Sequence, residues 1–109
     1  CDEEVKYAKD TFGADLISFE GLDYKDDIDD LFSLTKHMDL VISVNSAPAS
    51  FSGVLGVETI MPARSIGWDM LGTDHMAMVP SMRSVIQKEQ GDWAPVMEEI
   101  SELLAARLV

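Results

Sequence analysis

A short run of small polar residues follows the most apolar segment of the chain and is the strongest candidate for ligand chemistry. Asn45 and Ser46 come directly after residues 40–44, LVISV, and Ser50 lies one helical turn further on. Hydroxyl groups and the free backbone N–H groups of a helix N-terminus are suitable donors for a phosphate. A turn made of Asn45, Ser46, Ala47, Pro48 and Ser50 is therefore the best candidate for binding a phosphate. The other interpretation of the same turn is ordinary helix capping, which the spacing alone favours.

Metal and nucleophile chemistry have weaker signals. Six acids and one lysine occur within residues 20–30, EGLDYKDDIDD, but a calcium loop also needs alternating ligands, a central glycine and a terminal glutamate. His37 and His75 are far apart in the sequence, and no second group of metal ligands accompanies either. Ser52 lacks the flanking glycines of a nucleophile elbow. We expect no metal site and assign no catalytic residue.

The periodicity of apolar residues predicts the elements that position the polar turn. Spacings of three and four indicate helices over residues 3–11, 27–38, 49–55 and 93–107. Short apolar runs indicate strands over residues 14–19, 40–44, 57–61 and 82–87. The last helix is expected to bury Val96, Ile100, Leu103, Leu104 and Leu108.

Strands and helices alternate through short connections, which is typical of βαβ units and a parallel sheet. We therefore expect one α/β domain over residues 1–109, with a Rossmann-like parallel sheet and flanking helices. Open parallel sheets bind ligands at the carboxyl ends of their strands, and Asn45 falls at such an end. Residues 63–75 are expected to form a structured loop in which Trp68 faces the same site.

Composition excludes several classes of partner. The chain has 109 residues, enough for one domain, and 20 acidic against 8 basic residues give a net charge of −12. Such a charge disfavours nucleic acid and anionic membrane surfaces as partners. No apolar stretch is long enough to span a membrane, and no signal peptide is recognisable. The single cysteine, Cys1, indicates a reducing compartment, and we expect a cytoplasmic protein.

Several ordered motifs resemble the C-terminal part of heptosyltransferase-like GT-B glycosyltransferases, of the kind that often follow tetratricopeptide repeats. In that family a strand written DLVISV leads to a small polar turn and a helix written AHLAGALG, and an apolar strand then ends in proline. A loop containing tryptophan, a PWYPS-x-R segment and a GDW helix follow. The matching segments here are residues 39–44, 45–56, 57–62, 67–72, 79–83 and 91–93.

The resemblance implies a nucleotide-sugar donor-binding domain, partial and incomplete for catalysis without an N-terminal acceptor domain. It places Asn45, Ser46 and Ala47 near the donor diphosphate and Trp68 near the donor, which is the substrate rather than a cofactor. Ser50 stands where the family has a donor-facing histidine, and Met78-Val79 replace its aromatic pair. Two alternatives are a degenerate, non-catalytic interaction or structural module and an epimerase of the same architecture.

The resemblance also predicts which strands of the family's domain this chain contains. A chain that begins with Cys1 is expected to be part of something longer, lacking the first two strands of its domain. In the strand order 3-2-1-4-5-6, residues 14–19 and 40–44 would then be the third and fourth strands, with a gap between them. We expect either direct pairing of these two segments or a homodimer that fills the gap.

Overall fold

The computed structural model describes residues 2–108 and shows an α/β fold with a four-stranded, mostly parallel sheet flanked by helices, as in a partial Rossmann-like domain. The helices are α1 (Asp2–Phe12), α2 (Ile28–Lys36), α3 (Ala47–Val54) and α4 (Ala94–Arg107). The strands are β1 (Val41–Ile42), β2 (Thr59–Ala63), β3 (His75–Met76) and β4 (Val79–Ile86). A 3₁₀ turn occupies Trp68–Met70.

The strand order in the sheet is β1-β2-β4-β3. The first three strands run parallel, with Val41 opposite Thr59 and Thr59 opposite Met82. Strand β3 is antiparallel to β4 and forms an edge that the sequence did not predict. The parallel order places the ends of β1 and β2 side by side at the carboxyl edge of the sheet.

Two apolar clusters cover the two faces of the sheet. On one face α3 packs through Ala49 against Met61 and Met82, and on the other α4 packs through Val96 and Ile100 against Ile60 and Val85. Neighbouring residues of β2 therefore point to opposite faces, as the pleat of a strand requires. The helix α2 lies outside α3, where the rings of Phe32 and Phe51 meet edge to face at 4.8 Å.

The helix predictions are confirmed to within two residues at each end. Gly13, with φ +62°, follows α1, and its N–H donates to the carbonyl of Lys9 at 3.0 Å. Gly56, with φ +76°, ends the turn after α3. Both are the left-handed positions that glycine occupies without a steric penalty. Leu108 departs from the prediction, since 87% of it is exposed beyond the end of α4.

The strand predicted over residues 14–19 is wrong. This segment has no strand structure, and Leu16, Ile17 and Phe19 are 42%, 76% and 51% exposed. A strand exists only where a neighbour accepts its backbone hydrogen bonds, and no described strand lies beside this segment. The backbone N–H of Phe19 instead donates to the hydroxyl of Tyr24, at 3.0 Å. The expected direct pairing with residues 40–44 is therefore also wrong.

The loop predicted between β2 and the following strand is ordered, as expected. Leu71 adopts the left-handed conformation with φ 50°, and the Thr73 hydroxyl donates to the carbonyl of Met70 at 2.8 Å.

Within residues 2–108 there is no helix long and apolar enough to cross a membrane.

Candidate site at the carboxyl edge of the sheet

A cavity of about 410 Å³ opens where β1 and β2 end. Met61 and Met70, 3% and 5% exposed, form its apolar floor, and Trp93 bounds it from the start of α4. We call it the sheet-edge cavity; its lining is Val44, Asn45, residues 61–65, Gly67, Asp69, Met70 and Trp93. The volume lies within the range usual for small-molecule sites, and the place is where open parallel sheets bind ligands.

Polar groups enter the sheet-edge cavity from three connections. Asn45 follows β1, Arg64 and Ser65 follow β2, and Asp69 belongs to the 3₁₀ turn. Arg64 is the cavity's cation and Asp69 its anion, and no ion pair joins them. The cavity therefore offers an amide, a hydroxyl, a guanidinium and a carboxylate around an apolar floor.

The predicted site residues fall in different places. Asn45 lines the sheet-edge cavity, whereas Ser46 and Ser50 do not. Ser46 occupies the N-cap position of α3 without a side-chain capping bond, and its Oγ lies 3.0 Å from the Oγ of Ser43. The Ser50 hydroxyl donates to the carbonyl of Ser46 at 3.3 Å. The capping interpretation of the turn thus fails for the Ser46 side chain.

Ala47 and Trp68 lie against two other hollows. Ala47 borders a cavity of about 340 Å³ between α2 and α3. Trp68 is 89% exposed and borders a hollow of about 390 Å³ on the other side of Asp69. We call this hollow the apolar groove; apart from Asp69 it is lined by Trp68, Leu71, Met76, Ala77, Met78 and Val79.

Sequence reasoning missed Arg64 and Asp69. The sequence carries a signal for Arg64, because a polar residue directly after an apolar parallel strand lies at the ligand-binding edge, as Asn45 does after β1. Asp69 had no comparable signal, since only the folded loop carries it back to the strand ends.

A cluster of charged side chains outside the cavity forms structural contacts. Asp74 accepts a hydrogen bond from the His75 ring at 2.6 Å, which holds the pKa of Asp74 below its ordinary value of 3.8. Arg83, from the PS-x-R segment, lies 3.4 Å from Asp74 and 3.5 Å from Glu99. The family-like arginine therefore connects β4 to α4 and to the loop before β3, away from the sheet-edge cavity.

The acidic segment forms no metal centre among residues 2–108, where no group of three possible protein ligands converges. The Asp23 carboxylate accepts the backbone N–H groups of Lys25 and Asp26, which lowers the pKa of Asp23. Asp27 caps α2 by accepting the N–H of Asp30 at 3.1 Å. Its negative charge raises the pKa of the Asp30 side chain. These acids begin a helix, where the dipole favours them.

The fold and the cavity define an α/β protein with an open cavity at the carboxyl edge of a mostly parallel sheet. One curated protein, Protein FlbA of Caulobacter vibrioides, is similar to this chain, with 33% identity over 104 residues. The match covers 95% of this chain and 17% of that protein. No family model matches the chain, and no solved structure matches it.

Proposed function

We propose that this chain is the nucleotide-sugar donor-binding part of a glycosyltransferase of the heptosyltransferase-like GT-B class. The observation that carries the proposal is the sheet-edge cavity, which lies at the ends of β1 and β2 beside the start of α4. The segments that resemble the family surround it: the polar turn after β1, the strand β2 with Pro62 near its end, and the GDW segment before α4. A donor bound there would contact Asn45 and Trp93.

The chemistry of the cavity suits donor binding better than complete catalysis. It has hydrogen-bonding groups at its rim and an apolar floor, as small-molecule sites usually do. Glycosyl transfer also needs an acceptor and a base that activates it, and both belong to the acceptor domain implied by the resemblance. The match covers 17% of Protein FlbA, so that relative is long enough to hold a further domain beside the matched segment. We further propose a cytoplasmic location, for which the single cysteine is the supporting observation, since a reducing compartment needs no disulfides.

Backbone NMR titration with uridine, adenosine and guanosine diphosphates tests the proposal. We expect amide shifts at Asn45 and at residues 63–65 and 69–70, since these line the sheet-edge cavity. Amides of α1, which has no buried residue and does not line the cavity, serve as the internal control. Absence of any shift at the cavity with millimolar ligand would exclude donor binding by this chain.

A non-catalytic interaction module is the second candidate. Two observations favour it: Ser50 replaces the donor-facing histidine, and the apolar groove exposes Trp68 and Met78 by 89% and 92%. Exposed apolar patches of this kind mark interaction surfaces. The same titration separates the candidates, because a module without donor function leaves the cavity amides unchanged by all three nucleotides.

A further inference from the structure

The arginines of this chain differ in their partners. Arg83 forms ion pairs with Asp74 and Glu99, and Arg107 pairs with Glu58 and donates to the carbonyl of Asp39 at 2.6 Å. Arg64 has no hydrogen bond or ion pair with any residue of the described range 2–108. No lysine of residues 2–108 has an ion pair either, so Arg64 is distinguished by its position at the sheet-edge cavity.

The backbone fixes Arg64 at the mouth of the sheet-edge cavity. Ala63, the last residue of β2, is paired with Ile86, and its carbonyl accepts the N–H of Gln87 at 2.9 Å. Arg64 is the next residue and borders both this cavity and a neighbouring hollow with Ser65 and Gln90. The sheet ladder therefore fixes the backbone beside Arg64, whose exposed side chain has no partner in the described residues to neutralise it.

Asp69 supplies a complementary group in the same cavity. Its carboxylate lies against Gly67, where an added Cβ would come 2.4 Å from the Asp69 Oδ1. The Asp69 backbone carbonyl accepts the N–H of Ala77 at 3.4 Å, but its half-buried carboxylate has no hydrogen bond or ion pair with residues 2–108. A ligand that satisfies the cavity must therefore present an anion to Arg64 and hydrogen-bond donors to Asp69, with an apolar face toward Met61 and Met70.

We propose that Arg64 binds the phosphate group of a phosphorylated sugar ligand and that Asp69 accepts hydrogen bonds from its hydroxyl groups. A guanidinium matches phosphate through two parallel N–H···O bonds, which an ammonium group does not reproduce. A carboxylate accepts hydrogen bonds from neighbouring hydroxyls. This assignment rests on the proposed function, because it names the residues that hold the donor's phosphate and sugar.

Calorimetric titration of the 109-residue chain and matched variants tests the assignment. The probes are uridine diphosphate glucose, adenosine diphosphate glucose, guanosine diphosphate glucose and inorganic pyrophosphate. We expect Arg64→Ala to weaken the nucleotide-sugar that the parent binds, and pyrophosphate, by about 10- to 100-fold. Arg64→Lys should recover only part of this loss, and Asp69→Asn should weaken the nucleotide-sugar while leaving pyrophosphate unchanged.

Lys36→Ala is the matched control, since it removes one positive charge from the end of α2, outside the sheet-edge cavity. It should change neither affinity more than about twofold at ~0.15 M salt, where distant charges are screened. An equal loss in Lys36→Ala and Arg64→Ala would overturn the assignment by showing general electrostatic attraction. Amide spectra of each variant verify folding, and Arg64→Gln replaces Arg64→Ala if the alanine variant unfolds.

The outcomes separate this inference from the proposed function. Parent binding of a nucleotide-sugar that persists unchanged in Arg64→Ala overturns the inference and leaves donor binding intact. Arg64-dependent binding of pyrophosphate without binding of any nucleotide-sugar supports the anion site and overturns the donor assignment. Absence of binding of all four probes to the parent overturns both.

Discussion

At the scale of single residues, Gly53 sets the distance between α3 and β4. A Cβ on this residue would lie 2.2 Å from the Sδ of Met82 and 2.7 Å from a methyl carbon of Val79. The Ser81 hydroxyl also donates to the Gly53 carbonyl at 3.1 Å, so the backbone of α3 is fastened to the strand. Met82 is 1% exposed and has little room to move.

We therefore expect Gly53→Ala to destabilise the fold by about 1–3 kcal/mol, the usual cost of overpacking a core. The control is Val54→Ala, which lies next in α3 but is 77% exposed and should change the free energy of unfolding by less than about 0.5 kcal/mol. Urea denaturation measures both. Equal stability of the Gly53→Ala variant and the parent would show that α3 does not approach β4 this closely.

The carboxyl of Asp74 provides a test of electrostatics at the same scale. The hydrogen bond from His75 is the largest cause of its lowered pKa, and the charge of Arg83 is the smallest. His75→Ala should therefore raise the pKa of Asp74 toward 3.8, and Arg83→Gln should raise it less. Carboxyl carbon NMR titration measures both shifts; a larger shift in Arg83→Gln would contradict the assignment.

The sign of the pH dependence follows from the same pair. Because the folded-state pKa of Asp74 is depressed, its contribution to stability is fully present above the ordinary pKa of 3.8. That contribution disappears as the pH falls through the lower folded-state value. Denaturation midpoints of the parent and of His75→Ala should therefore converge in strong acid and differ at pH values above the ordinary pKa.

At the scale of elements, the middle of α4 packs against the sheet, whereas its C-terminal end is exposed to solvent. Ile100 is 5% exposed and packs with Ile60 and Val85, whereas Leu108 is 87% exposed. Ile100→Ala should destabilise the fold by about 2–4 kcal/mol through the lost contacts and the cavity left behind. Leu108→Ala should be nearly neutral. Thermal unfolding of the two variants measures the contrast, and similar losses in both would contradict the packing of α4.

At the scale of the whole molecule, the outer edge of β1 has no neighbouring strand within residues 2–108. Ile42 and Val44, at this edge, are 44% and 59% exposed. Free backbone groups beside exposed apolar side chains favour pairing with another strand. Of the two arrangements expected from the sequence, direct pairing with residues 14–19 is wrong, and a homodimer stays a prediction.

We expect the chain to associate weakly in solution and Ile42→Lys to reduce that association, because a charged side chain disfavours edge pairing. Sedimentation velocity over a range of concentrations measures it. Val54→Lys is the control, since it adds the same charge on an exposed position of α3. A parent chain that stays monomeric at all concentrations would contradict the prediction, and so would equal association of the parent and Ile42→Lys.

The sequence by itself determined the helices and the α/β class. Each α-helix forms its hydrogen bonds within four residues, so local spacing and the glycines at positions 13 and 56 were sufficient to locate α1 and α3. The apolar runs before Asn45 and Pro62 also located two parallel strands, and with them one end of the candidate site. These signals depend on residues close together in the sequence, and the corresponding helices and strands are present in the structure.

Only the tertiary structure decided which apolar runs became strands and which side chains met. Residues 14–19 and 57–61 are both apolar, yet the backbone hydrogen bonds of a strand come from a distant partner, and only the second segment has one. Arg64 and Asp69 share a cavity because a folded loop carries Asp69 back to the strand ends. Contacts between residues distant in sequence depend on the packing of the whole chain, which periodicity does not encode.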